Sequence, residues 1–296
     1  MGATHGPTAR LQGMVNDAWV LLWIYKWGWT TNQILQRLLC VKRPRPADDF
    51  VKKGLLTKID APAGYAEKSV YILSQKGFIQ AKINAENFDP RAVNNYTLHE
   101  SKRISWSLHN HNCVAQHICL DISHIVDKSR YPDERDYQRL RTDFELKSVD
   151  DKSADIPDFI YRPRIGNPTD WHIEIELNQK TNLKLEKWLY PRVKKANSLF
   201  DETPDDAILI LTPFDAVISS YSKALEKKVH RVVMNNGREV ASIKTITLQG
   251  NRIWLASLQQ DKTRISGNLK LLLNSEQIKR PCCIETEKKW DDGQDS

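Results

Sequence analysis

The sequence predicts an α/β chain, α+β in layout: a small basic module of three helices and a β-hairpin, then a mixed β-sheet flanked by helices. Three observations carry this. The net charge lies at one end, since residues 1–82 hold 12 Lys+Arg against 5 Asp+Glu and leave 32 of each for residues 83–296. Within that basic segment, helical periodicity gives way to a hairpin pattern. Beyond residue 140, short alternating or continuously apolar runs are interspersed with helical ones, the order expected of a sheet with helices packed on it.

A chain of 296 residues, 40% hydrophobic and 27% charged, has the composition of an ordinary globular protein with room for two domains. No window approaches the roughly 18 apolar residues of a membrane span, and the Trp-rich stretch near the start is broken by Asn16, Asp17 and Lys26. The first 14 residues lack a secretory pattern, so a cytoplasmic protein is expected, with a flexible N-terminus over 1–14. The five cysteines (Cys40, Cys113, Cys119, Cys282 and Cys283) include no CxxC pair and read as reduced thiols.

Asn16 to Lys26 is apolar at helical spacing, with Trp19, Trp23 and Trp27 on one stripe. Thr30 or Thr31 can cap a second helix through Leu39. Pro46 suits the first turn of a third helix ending near Lys53 and Gly54. Leu55–Ile59 and Ser69–Leu73 are strand-like runs around a loop at Ala61–Glu67. Three helices, a two-stranded wing and the closing Leu73-Ser74-x-x-Gly77 resemble a winged helix-turn-helix over residues 15–82. That resemblance implies DNA binding by the third helix and the wing, with Arg43, Arg45, Lys52, Lys53 and Lys68 as phosphate or base contacts. Asp48 and Asp49 on the same helix oppose phosphate.

Residues 83–104 are polar and turn-rich, which suits a linker, and the second domain is expected over 105–275 with a disordered tail at 276–296. Ser107–Val126 is helical in period and carries His109, Cys113 and His117 at spacings of four. One helix cannot wrap four zinc ligands around an ion, so these side chains are expected in a core or facing a site built by later strands. Arg141–Val149 alternates as a strand, and Ile156–Tyr161 and Trp171–Leu177 form a strand pair around a turn at Arg164–Asp170. Alternation puts Glu174 and Glu176 on one face, with Asp158 on the neighbouring strand and Lys180 four residues past Glu176. Carboxylates at that density invite a hard cation, and a lysine beside them can stabilise charge developing on a phosphate. A helix over Asn182–Leu199, a buried strand at Ala207–Leu211, a helix over Phe214–Val233 and strands at Ile243–Leu248 and Ile253–Leu258 complete the sheet.

Pro157-Asp158, Glu174-x-Glu176 and Lys180 resemble the PD-(D/E)xK nuclease superfamily, with one departure. Glu176 stands where the lysine usually lies, and Lys180 would be a migrated lysine. The whole order is similar to the replication-relaxation family and, within it, to the MobC-class plasmid mobilisation relaxases. This resemblance implies a metal-dependent enzyme that nicks one strand at a plasmid mobilisation origin during conjugative transfer. It implies Asp158, Glu174, Glu176 and Lys180 as the catalytic set, the three acids holding Mg2+ or Mn2+; His109, His111 and His117 are a separate expectation, as supporting groups behind them. The partners it implies are double-stranded plasmid DNA and relaxosome accessory or coupling proteins, with no membrane. Tyr161 and Tyr190 lie close enough in sequence to keep a tyrosine nucleophile open. A winged-helix regulator of plasmid replication or transcription with a non-catalytic nuclease-like domain, and a site-specific endonuclease, are the competing expectations.

Overall fold

The tryptophan stripe near the start is helical, with Trp23 and Trp27 buried and Trp19 partly buried. In the computed structural model, α1 (Ala9–Trp27) carries Trp23 and Trp27 inward with their rings 5.8 Å apart. The structure describes residues 9–65, 67–88, 104–127, 139–149, 156–162, 170–178, 180, 184–185, 188–189, 207–226, 231–235, 238–242 and 253–258. Over these it is mixed α/β, with small sheets. No helix among the described residues is long and apolar enough to cross a membrane.

The chain divides into two compact units, Met1–Ile156 and Pro157–Ser296. The first opens with α1, α2 (Asn32–Leu38) and α3 (Ala47–Lys52), then pairs β1 (Leu56–Asp60) antiparallel to β2 (Ser69–Leu73). Thr31 is the cap of α2, its hydroxyl accepting the Ile34 N–H at 3.3 Å. Thr30 instead exchanges backbone hydrogen bonds with Tyr71 of β2. Beyond α3, Gly54 takes a positive φ of 71°, the conformation a glycine stop supplies.

Two expectations fail in this unit, each for a local reason. The hairpin is followed by a helix, α4 (Gln75–Phe88), that takes in residues 83–88 of the expected linker; residues 89–103 lie outside the described residues. Ser74 starts α4, its hydroxyl accepting the Gly77 N–H at 3.0 Å, and Ala81 and Ala85 bury its inner face. Gly77 is required there, because a Cβ would fall 2.0 Å from the Leu55 carbonyl oxygen. The second failure is Arg141–Val149, expected as a strand. Only β3 (Leu140–Thr142) is extended, and α6 (Asp143–Val149) follows. Thr142 and Glu145 form a reciprocal capping box: the Thr142 hydroxyl accepts the Glu145 N–H at 3.2 Å, and Glu145 Oε2 accepts the Thr142 N–H at 2.8 Å.

The helix carrying the histidines, α5 (His109–Asp127), follows a short turn at Trp106–Leu108 and belongs to the first unit. Trp23 Nε1 donates to Gln116 Oε1 at 2.8 Å and Gln116 Nε2 to the Trp29 carbonyl at 3.1 Å, which tie α5 to the α1 end of the chain. Both helices lie within the first compact unit, Met1–Ile156.

In the second unit β4 (Phe159–Tyr161) pairs antiparallel to β5 (Trp171–Ile175), and β5, β6 (Ala207–Thr212) and β9 (Ile253–Ser257) run parallel in that order. α7 (Asp215–Glu226) lays Val217, Ile218 and Tyr221 on the face formed by Ile208, Ile210, Ile253 and Leu255, with Leu185 and Leu189 in the same core. α7 ends sooner than expected. Val232 and Val233 belong to β7 (Arg231–Asn235), which pairs with β8 (Arg238–Ser242) in a hairpin that the periodicity reading missed. Of the helix expected over 182–199, residues 184–185 and 188–189 are described and helical; the strand expected at 243–248 and the tail at 276–296 lie outside the described residues.

Candidate functional site

Parallel partners share a sheet face, so the β5–β6 register puts His172 beside Ile208 and Glu174 beside Ile210, facing the core under α7. Glu176 follows β5, its N–H donating to the Leu211 carbonyl at 2.8 Å. His172, Glu174 and Glu176 thus form a polar row along a buried face, each less than a tenth exposed. The row ends at the carboxyl edge of the parallel strands, where open α/β sheets characteristically bind ligands.

Asp158 reaches the same edge because β4 runs antiparallel to β5. Its backbone N–H donates to the Ile173 carbonyl at 3.0 Å, and its carboxylate Oδ2 accepts the Ile175 N–H at 2.6 Å. Asp158 therefore straddles Glu174, holding the residue before it and the residue after it. At the other end of this hairpin Arg162 clamps Asp170 with two parallel bonds of 2.6 and 2.9 Å, fixing the two strands on which the acids stand.

Glu176 has three protein donors. Lys180 Nζ forms an ion pair with Oε2, the Tyr221 hydroxyl donates to the same oxygen at 2.8 Å, and the Asn178 N–H reaches Oε1 at 3.2 Å. The Lys180 ammonium also lies over the Trp188 ring, 4.5 Å from its centroid, and that ring is 5.5 Å from Tyr221. Lys180 remains a quarter exposed while Glu176 is buried, so the pair has one side toward solvent.

The four expected positions are thus gathered at one end of one sheet. Asp158 and Glu174 supply the oxygen donors that hard cations select, whereas Glu176 is committed to Lys180 and Tyr221. Among the described residues no three His, Cys, Asp or Glu side chains converge as a metal-binding group. Tyr221 and His172 were missed by the sequence reading. Their signals were a tyrosine in the apolar Val217-Ile218-x-x-Tyr221 stripe, whose hydroxyl needs a partner when buried, and a histidine in phase with Glu174 and Glu176. Tyr161 is buried in β4, in phase with the opposite face of the sheet, and Tyr190 lies outside the described residues.

The histidines of α5 belong to the first unit. His109 is buried between the rings of Trp29 and Trp106, at 4.8 and 5.4 Å, with Tyr65 edge-on at 5.3 Å, and burial holds its pKa below the ordinary imidazole value. Cys113 Sγ lies 3.9 Å from His109 Nε2, and burial pushes the thiol up to about 12, so it is protonated at neutral pH. His117 Nδ1 is 3.0 Å from Arg37 Nη1, and His111 is half-buried.

Of the expected DNA contacts, Arg45, Lys52 and Lys68 are exposed and form no ion pair among the described residues. Arg43 is bound by Asp49 at 2.6 Å, an ion pair that holds the carboxyl below and the guanidinium above their ordinary values. Lys53 is bound by Asp17 at 2.7 Å. Of the two acidic residues suspected of repelling phosphate, Asp49 is thus engaged by Arg43.

No family model, curated protein or solved structure matches this chain.

Proposed function

We propose that the chain is a metal-dependent DNA-nicking enzyme of the relaxase kind, with a winged-helix module in its first unit and a restriction-endonuclease-like sheet in its second. The observation that carries this reading is Asp158 straddling Glu174 at the carboxyl edge of the parallel strands, with Lys180 held by Glu176 just beyond the end of β5. Asp158 and Glu174 would hold the cation, Mg2+ or Mn2+, since such ions often take one or two carboxylates and complete their shell with water and substrate phosphate. A bound cation would lower the pKa of an attacking water and neutralise charge on a phosphoryl oxygen. Lys180 then answers the charge that develops on the phosphate, and Glu176 with Tyr221 and Trp188 fixes where its ammonium stands. The exposed Arg45, Lys52 and Lys68 would contact duplex phosphates at a plasmid mobilisation origin.

A second reading is favoured by the network around Glu176. With one carboxylate committed to Lys180 and Tyr221, the sheet suits a non-catalytic scaffold behind a winged-helix regulator. The two readings part on supercoiled plasmid carrying the origin, incubated with Mg2+, Mn2+ or chelator. Metal-dependent open circles, abolished by Glu174→Ala and Asp158→Ala while DNA binding persists, support the nicking enzyme. Retarded but uncut plasmid supports the regulator, and linear product a site-specific endonuclease.

A further inference from the structure

The outer face of α4 carries a pattern that its fold does not use. Gly77, Ala81 and Ala85 bury the inner face, and the opposite side presents Lys76, Ile79, Ile83 and Glu86 at the three- and four-residue spacings of a single stripe. Ile79 and Ile83 are 50% and 52% exposed, about a full turn apart. A lone exposed isoleucine is ordinary, but here two are centred between a lysine and a glutamate of opposite sign.

That order is self-complementary. A two-fold axis perpendicular to α4 at the level of Ala81 brings Ile79 against Ile83 of a second copy and, further out, Lys76 against Glu86, with each contact made twice. Residues 76 and 86 stand equally far from that level, as do 79 and 83. A parallel pairing would instead face Lys76 with Lys76 and Glu86 with Glu86. Glu86 has no ion-pair partner among the described residues, and Lys76, whose ammonium gives one bond to the Lys53 carbonyl at 3.2 Å, has further donors to offer. We propose that the chain self-associates through an antiparallel two-fold pairing of α4, an isologous contact with Ile79 and Ile83 at its centre and two Lys76–Glu86 pairs at its ends. A single helix face buries less than the roughly 1,200 Å² of a stable interface, which makes this a weak dimer, populated at micromolar to millimolar chain.

Sedimentation equilibrium of the full chain at low salt tests the pairing. Dimer that grows with concentration and weakens in salt is expected, and Ile79→Ser with Ile83→Ser should leave monomer with an unchanged circular dichroism spectrum. Lys76→Glu and Glu86→Lys should each raise the dissociation constant roughly tenfold, because each turns two attractions into two repulsions. The double variant K76E/E86K restores the opposite-charge pairing and should return the constant close to that of the natural chain. Monomer throughout the millimolar range, or a double variant no better than the singles, overturns the proposal.

Discussion

Among the described residues two lysine–glutamate pairs bury their carboxylate, one in each unit, and their surroundings differ. Lys26 and Glu145 are 119 residues apart, the lysine side chain 2% exposed, its ammonium donating to Glu145 Oε1 at 2.8 Å and to the Leu140 carbonyl at 2.7 Å. The other oxygen of Glu145 serves the capping box of α6. Lys180 and Glu176 are four residues apart, and the lysine keeps a quarter of its side chain exposed while resting on Trp188. The first pair is closed on all sides and has only structure to maintain. The second has an open side at the carboxyl edge of a sheet, so its ammonium can approach a bound anion. Burial of the acid is common to both, and access to the lysine separates them.

The contrast breaks most clearly at the first pair. Lys26→Met leaves Glu145 buried without its cation, and urea unfolding should show a loss of about 3–5 kcal/mol, much of which the added Glu145→Leu should recover. At the second pair Lys180→Met should cost less, about 2 kcal/mol, because Glu176 keeps Tyr221 and the Asn178 N–H as donors and lies beside an open side, yet it should slow the proposed plasmid nicking by about a hundredfold, the scale of one charge-stabilising group. Equal stability losses at both pairs would erase the distinction. Tyr221→Phe removes one donor from buried Glu176 and should cost about 1–2 kcal/mol by urea titration.

The smallest effect concerns acid, and it comes from His109, a buried ionisable group of the first unit outside its Lys26–Glu145 pair. Burial depresses the His109 pKa below 6.5, so the unfolded chain takes up a proton that the folded chain resists. Stability is complete above that value and declines as the pH falls through it toward the lower folded pKa. Glu67, raised above 4.5 by its own burial, acts in the opposite sense, its contribution present below 4.5 and lost as the pH rises through its folded pKa, and Cys113 stays protonated throughout this range. Thermal melts between pH 7 and 5 should show this shallow decline, and His109→Phe should flatten it.

Strand and helix periods, with caps at Thr31 and Gly54, made the three helices, the first hairpin and β4 to β6 legible in the sequence. The alternation at Trp171–Leu177 also put Glu174 and Glu176 in phase. What escaped was decided by contacts between distant residues or by local signals that competed with the period. Asp143-Phe144-Glu145-Leu146 alternates like a strand, but Thr142-x-x-Glu145 caps a helix, and the cap prevails. Asn236-Gly237, the commonest two-residue hairpin signal, lies between β7 and β8 within a stretch read as helix and loop. Asp158 as a strap across β5, Tyr221 as the partner of Glu176 and Lys26 as the partner of Glu145 are long-range pairings with no spacing to announce them.

The distance between Lys26 and Glu145 along the chain also sets a schedule. At a synthesis rate of about 5–20 residues per second, α1 waits roughly ten seconds before its carboxylate partner emerges from the ribosome. Through that interval the lysine keeps its hydration, because nothing yet made can replace the water around it. The helices and hairpin of the first 88 residues are therefore born before the residue that lets their longest helix seal. Completion of the first unit belongs to the arrival of Thr142 and Glu145, late in its own translation.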